Sequence, residues 1–408
     1  MNVLLANTYH FPGGGDSTYT FNLAELLNKY GHNVAFFAMK DERNLPDPNE
    51  DLFVTNIDYR RLNQNKNIMN GFKVVIRSIY SVEARKKFHK LLKKFKPDII
   101  HLQNIHHHLT TSIIFEAKSH NIPIIWTLHD YKLMCPNTHF ILDSNLMICE
   151  RCKRSKYFFS VLKRCKKNSI FASCLVAIES YFNKCTKVYD KVDYFLTPSL
   201  FLKKKLFEYG FPERKIIHVP HFLAYNIFEP SKNYGNYFLF MGKIERIKGI
   251  IPLIDACRVN SQVRLKIAGR IDEQLKEEFL SKLPSNVEYV GMKQGDELYN
   301  LIEDCIALVL PSICYENQPF SILEAFARGK PAIASNLGGI VELVGNNERG
   351  ILVSPSDSKA ISEAMIFMLK EKDETKKMGE DAYEYVKKEH TPEKHYHRLI
   401  EIYERAVK

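Results

Sequence analysis

Two glutamates, two lysines and the start of one helix, all in the second half of the chain, have the types and spacing to hold an anion beside a set of hydroxyl groups. Glu316 stands in VLPSICYENQPFSILEAFARG, with seven residues between it and Glu324. The apolar run before it reads as a strand, Pro319 suits the first helical position of a helix over Phe320–Arg328, and Gly329 suits its end. The first turn of a helix has no internal acceptors for its N–H groups and carries partial positive charge. The amides of Phe320, Ser321 and Ile322 are therefore expected to donate to a phosphate or diphosphate. Lys243 and Lys248 follow the strand-ending Gly242 in YFLFMGKIERIKG and can neutralise the same anion. Glu324, early in the helix, can accept from vicinal hydroxyls of a ribose, and Glu316, on the loop, from hydroxyls of a second ring. A charge that merely answers the helix dipole is the competing account of Glu324.

Other residues have chemistry of their own. Gly13-Gly14-Gly15 follows a short apolar strand and precedes a helix, so its backbone can approach a phosphate with no Cβ in the way, or it forms only a tight structural turn. The spacing is not G-x-G-x-x-G and no acid closes the second strand, which disfavours a dinucleotide dehydrogenase. His129 ends the apolar run PIIWTLHD at the edge where open α/β sheets bind ligands, with a structural role for a strand-end histidine the competing account. His106, His107 and His108 are consecutive and cannot all face one ion, which suits a supporting place near the cleft. Cys135, Cys149, Cys152 and Cys165 include one C-x-x-C within a polar, basic stretch, so a structural zinc site is one reading and reduced, unpaired thiols the other.

These residues need rigid elements to hold them, and the chain supplies alternating strands and helices. VLLA, a helix over Phe21–Tyr30 ended by Gly31, and NVAFFAM form a βαβ unit. A helix over Ser81–Phe95, the strand DIIHLQ, a helix over Ser112–Ser119 and the strand PIIWTLHD continue it. A second series starts at YFLFMG and runs through RLKIAG, NVEYVG, a helix over Asp296–Asp304, IALVLPS and PAIAS. Two doubly wound parallel-sheet domains follow, with Val219–Gly235 as the linker. The expected divisions are 1–220, containing a basic, cysteine-bearing insertion over about 132–190, then 221–385, then a C-terminal helix over 386–408. The charged segment Asp373–Lys408 reads as helical, with Tyr396, Leu399, Ile400 and Tyr403 spaced to pack back on the first domain.

Length and composition agree with this. The 408 residues suggest two domains, and 45% hydrophobic with 26% charged residues is ordinary globular usage. The opening MNVLLANTYHFPGGG reads as a buried strand and not a signal peptide, and no run approaches the length needed to span a bilayer. A cytoplasmic protein is expected. The net charge of +11 is concentrated in part between Arg151 and Lys167, which hold eight Lys or Arg and no acid. With Tyr157, Phe158 and Phe159 among them and the amphipathic SIFASCLVAIESYF following, the stretch 151–190 suits peripheral docking on an anionic inner-leaflet surface, or else a solvated basic face.

The linked motifs, taken together, resemble glycosyltransferase family four. Glu316 and Glu324, Gly242-Lys243, Lys248-Gly249 and Gly338-Gly339 look like its donor half. Pro12-Gly13-Gly14-Gly15, Gly31-His32, Pro97-Asp98 and Thr127-Leu128-His129-Asp130 look like its acceptor half. The resemblance spans nearly the whole chain. It implies a GT-B fold, two Rossmann-like domains facing across a cleft, and a retaining transfer of sugar from a nucleotide-diphosphate sugar to a hydroxyl acceptor without an obligatory metal. It implies that Gly14, Gly242, Lys243, Lys248, Phe320, Ser321, Ile322 and Glu324 bind the donor and that His129 and Glu316 lie at the reacting sugar. Lys243 stands where the family more often has Arg, and Asn317-Gln318-Pro319 stands where it often has Gly-Phe-Gly. A lipid-linked glycan of capsule, lipopolysaccharide or exopolysaccharide synthesis is the expected acceptor. A nucleotide-sugar epimerase of the same fold and a basic nucleic-acid-binding protein are the rival readings, although the motifs point to a cleft and no nucleic acid is expected.

Overall fold

Consecutive buried apolar residues, without the polar alternation of a half-exposed sheet, form strands covered by helices on both faces. In the computed structural model, which describes residues 1–56, 75–224, 228, 230–231, 233–345 and 347–408, they build two six-stranded sheets. The first contains β1 (Asn2–Ala6), β2 (Asn33–Phe37), β3 (Ile99–Leu102), β4 (Ile124–Thr127), β5 (Tyr194–Thr197) and β6 (Ile216–His218), in the order β2-β1-β3-β4-β5-β6. The second contains β7 (Tyr237–Met241), β8 (Leu265–Ala268), β9 (Val287–Gly291), β10 (Cys305–Leu310), β11 (Ala332–Ser335) and β12 (Gly350–Val353), in the order β12-β11-β10-β7-β8-β9. Every pairing between these strands is parallel.

In each sheet the strand order reverses beside the first strand, between β1 and β3 and between β7 and β10. Loops leaving the carboxyl ends of such a pair run to opposite sides and open a crevice, which is where ligands bind in sheets of this kind. Packing divides the chain into one unit of Met1–Pro198, Leu202–Val219 and His395–Lys408 and a second of Ser199–Phe201 and Pro220–Lys394. Within the expected linker, residues 225–227, 229 and 232 lie outside the described residues.

The helices start and stop for local reasons. Ser81 caps the helix Val82–Phe95 by accepting from the Ala84 amide at 3.1 Å. The helical segment expected over Asp373–Lys408 is two helices, Lys372–Glu389 and Pro392–Val407. His390 leaves helical geometry at φ −120°, and Pro392 disfavours helix in the residue before it. In the first unit, the Tyr403 hydroxyl lies 2.6 Å from His101 Nδ1 and Tyr396 stacks on Tyr30 with centroids 3.6 Å apart.

Candidate active site

Two loops from neighbouring strands build the site in the second unit. β7 and β10 are buried along their whole lengths, which fixes where they release the chain. The turn Arg246–Lys248 follows β7 and ends at Gly249, whose φ of +72° is left-handed. A Cβ there would sit 1.9 Å from the Pro311 carbonyl oxygen, so only glycine lets the β7 loop lie against the β10 loop. The consequence is a direct ion pair, with Lys248 Nζ 2.5 Å from Glu316 Oε1. The same oxygen accepts from Ser312 Oγ at 2.7 Å.

Glycines also hold Glu316 from the other side. The Gly339 amide donates to the Glu316 carbonyl at 2.8 Å. A Cβ on Gly338 would lie 2.7 Å from that carbonyl oxygen and one on Gly339 would lie 1.8 Å from the oxygen of Asn317. The His221 amide donates to Gln318 Oε1 at 2.6 Å, and the His221 ring stacks on Phe320 at 5.2 Å. The acid-bearing loop is therefore braced along its length before the helix begins.

The helix Phe320–Ala327 starts from an extended Pro319 at φ −70° and ψ 122°. Pro319 is the cap and not the first helical residue, and its carbonyl accepts from the Ile322 amide at 3.2 Å. This narrows the three expected donors. Among the described residues the amides of Phe320 and Ser321 have no acceptor, whereas that of Ile322 does.

The charges around this helix tip are unequal. Burial would push the Lys248 ammonium down in pKa, but Glu316 outweighs it and the net shift is upward. Lys243 is about half exposed and pairs with Glu245. Its pKa is lowered, chiefly by burial, with Asp272 opposing and Arg270 and Lys248 adding to the fall. The half-buried Glu324 carboxyl is pushed up to about 7 by burial. It has no hydrogen-bond or ion-pair partner among the described residues. A carboxylate shielded from water with no donor of its own is poised to accept from one that arrives.

The remaining predicted residues lie in the first unit. Gly14 is exposed, extended at φ 179°, and caps the helix Gly15–Lys29. His129 Nε2 is 2.8 Å from Gln103 Oε1, and its ring meets Tyr19 edge-on at 5.3 Å. Burial lowers the His129 pKa, against the pull of Asp16 and Asp130. Gln103 is a partner the sequence reading missed. It follows β3 directly, as His129 follows β4 by two residues, and the pairing of these strands brings the two side chains together. His106 Nε2 is 3.7 Å from Asp130 Oδ1, and burial lowers its pKa to about 3.

Cys135, Cys149, Cys152 and Cys165 are unbonded thiols; after burial, the neighbouring thiols push Cys152 further up, Cys149 acts likewise on Cys135, and Cys135 and Cys149 on Cys165. Burial is the main cause that pushes Cys165 up to about 12. Zn–S bonds of ~2.3 Å place sulfurs roughly 3.8 Å apart. Among the described residues no three of these sulfurs come within 4.8 Å of one another, so the thiols do not stand at ZnS4 spacing.

Comparison with known proteins follows the same division of the chain. Residues 13–223 match Glycosyltransferase Family 4 and residues 226–385 match Glycosyl transferases group 1. A 42.6 kDa protein in the cps region of Klebsiella pneumoniae is 24% identical over 358 residues, covering 84% of this chain and 87% of that one. The O-antigen chain mannosyltransferase C of Escherichia coli is 27% identical over 150 residues, covering 36% of this chain and 40% of its own. Sucrose-phosphate synthase of Thermosynechococcus elongatus superposes with a TM-score of 0.73 at 19% identity, over 99% of this chain and 98% of that one. With one family match alone spanning more than half of its residues, the chain belongs to glycosyltransferase family four, has the GT-B fold, and is a nucleotide-sugar-dependent glycosyltransferase.

Proposed function

We propose that the protein transfers a glycosyl group, with retention of anomeric configuration, from a nucleoside diphosphate sugar to a hydroxyl of a lipid-linked glycan in bacterial surface polysaccharide synthesis. The observation that carries this reading is the Lys248–Glu316 pair at 2.5 Å beside the open amides of Phe320 and Ser321. A diphosphate at that helix tip meets two preorganised N–H donors and the ammonium groups of Lys248 and Lys243. These interactions strengthen as charge grows on the departing phosphate. Glu316 accepts from hydroxyls of the transferred sugar and Glu324 from the ribose. The inferred step is front-face attack: the acceptor oxygen bonds to the anomeric carbon as the bond to the diphosphate breaks on the same face, and the leaving phosphate takes the acceptor's proton. Gly14 is assigned to donor binding and His129, oriented by Gln103, to the reacting sugar. The cps-region and O-antigen relatives support the choice of a surface glycan.

The test is a thermal-shift panel of nucleoside mono- and diphosphates and nucleotide sugars on the full chain. Binding to the folded state raises the melting temperature by mass action. One nucleoside diphosphate series stabilising the protein well beyond its monophosphate is the expected result. No response to any diphosphate would end this reading of the site.

A peripheral membrane location at the cytoplasmic face is part of the proposal. No helix among the described residues is long and apolar enough to cross a membrane. The helices Phe158–Leu162 and Ile170–Cys185 nevertheless leave Phe158, Leu162, Ile170 and Phe171 exposed, Phe171 to 70%. Lys163, Arg164, Lys166 and Lys167 lie in the chain between them. Exposed apolar side chains with the exposed Lys163, Arg164 and Lys167 beside them in the chain suit an anionic lipid surface, where each Lys or Arg adds about 1 kcal/mol.

A further inference from the structure

A second constellation of ligand-forming atoms lies in the first unit and has no part in the chemistry above. The helix Val82–Phe95 carries His89, and the helix Ser112–Ser119 carries Glu116, with His120 one residue past its end. Glu116 and His120 are four apart and so share a helix face. The two helices pack together, and their facing surfaces bring the three side chains to one point.

At that point Glu116 Oε1 lies 2.7 Å from His89 Nδ1 and 3.3 Å from His120 Nε2, and the two ring nitrogens are 3.2 Å apart. The other oxygen, Oε2, is held by Arg85 Nε at 2.7 Å, and Arg85 also donates to the Tyr80 hydroxyl. Glu116 is buried while the two imidazoles are partly open to solvent. Among the described residues this is the group of three or more potential ligands whose donor atoms all lie within 4.8 Å of one another.

Zinc bonds to imidazole nitrogen or carboxylate oxygen of ~2.0–2.1 Å place the ligands of a tetrahedron roughly 3.3 Å apart. Two of the three separations already have that length, and the third, a hydrogen bond, would open by about half an ångström. Arg85 fixes and neutralises the outer oxygen as a supporting partner does in built metal centres. The solvent side leaves room for water as a fourth ligand. A set of two nitrogens and one oxygen suits zinc and its neighbours in the transition series and not magnesium or calcium, which take oxygen ligands.

We propose that His89, Glu116 and His120 form a site for a divalent transition-metal ion, zinc foremost, which clamps the helix Val82–Phe95 to the helix Ser112–Ser119. The site is independent of the donor site and makes no claim on the transfer step. The experiment titrates the chelator-treated full chain with Co2+, read by its visible absorption, and then displaces it with Zn2+, with Mg2+ as control. His89→Gln and His120→Gln are titrated in parallel after circular dichroism shows them folded. The expected result is one Co2+ bound with nitrogen and oxygen ligands, displaced by Zn2+, and weakened more than about tenfold by either substitution. Absence of binding, equal binding in the substituted chains, or a sulfur-to-cobalt charge-transfer band alone, which would place the ion on the cysteines, each overturns the proposal. If either variant fails to fold, zinc protection of His89 and His120 from carbethoxylation in the unsubstituted chain decides the matter: protection supports the site and its absence refutes it.

Discussion

Replacing Glu324 by glutamine should make the protein more stable at alkaline pH while weakening its hold on donor. Burial raises this carboxyl from 4.5 to about 7. A pKa unit corresponds to ~1.4 kcal/mol, so the charged form costs the folded state roughly 3 kcal/mol at most. The sign follows from proton linkage. Between pH 4.5 and 7 the folded state holds the proton more tightly than the unfolded chain, so stability falls as pH rises through that window and the cost is complete above it. Glu324→Gln keeps the shape and removes the charge. Relative to the unsubstituted chain it should be near neutral at pH 5 and more stable at pH 8 by about 1–3 kcal/mol. For a unit of this size that is a rise of about 2–4 °C per kcal/mol in the melting temperature. Calorimetric melts of both proteins at the two pH values measure it directly. Ligand hydroxyls should supply the donors this carboxylate lacks, so nucleoside diphosphate affinity should rise with pH up to about 7 in the unsubstituted chain and lose that dependence in the variant. An equal difference in melting temperature at both pH values, or a variant less stable at pH 8, would refute the reasoning.

Other outcomes follow from the same geometry. Lys248→Met removes a charged hydrogen-bond donor worth about 1.5–3 kcal/mol and should weaken nucleoside diphosphate binding, measured by calorimetric titration, by about 10- to 100-fold. Gly339→Ala forces a Cβ to within 1.8 Å of the Asn317 oxygen, and should cost about 1–3 kcal/mol in a denaturant titration as the acid-bearing loop is displaced. Phe171→Glu together with Leu162→Glu should reduce cosedimentation with anionic vesicles while leaving diphosphate binding unchanged, since both side chains are exposed in the basic insertion.

The sequence by itself determined the two sheets and named the charged residues of the proposed donor site. Unbroken apolar runs such as CIALVL and YFLFM can be only buried parallel strands once helices alternate with them. Gly329 marked the end of the helix at the site because its backbone limits are local, whereas Pro319, expected as the first helical residue, is its cap. What the sequence left open depends on distance across the fold. That Glu316 shares one oxygen with Lys248 and Ser312, that Gly338 and Gly339 press on its loop, and that Gln103 reaches His129 follow from which strands are neighbours. Spacing along the chain does not encode that order. The Ile322 amide was lost to Pro319 because the cap's ψ turned its carbonyl into the helix, a torsion no residue type dictates. Glu324 became an acid titrating near neutrality, and His89, Glu116 and His120 became one cluster, only when tertiary packing partly buried the first and set two helices face to face for the others.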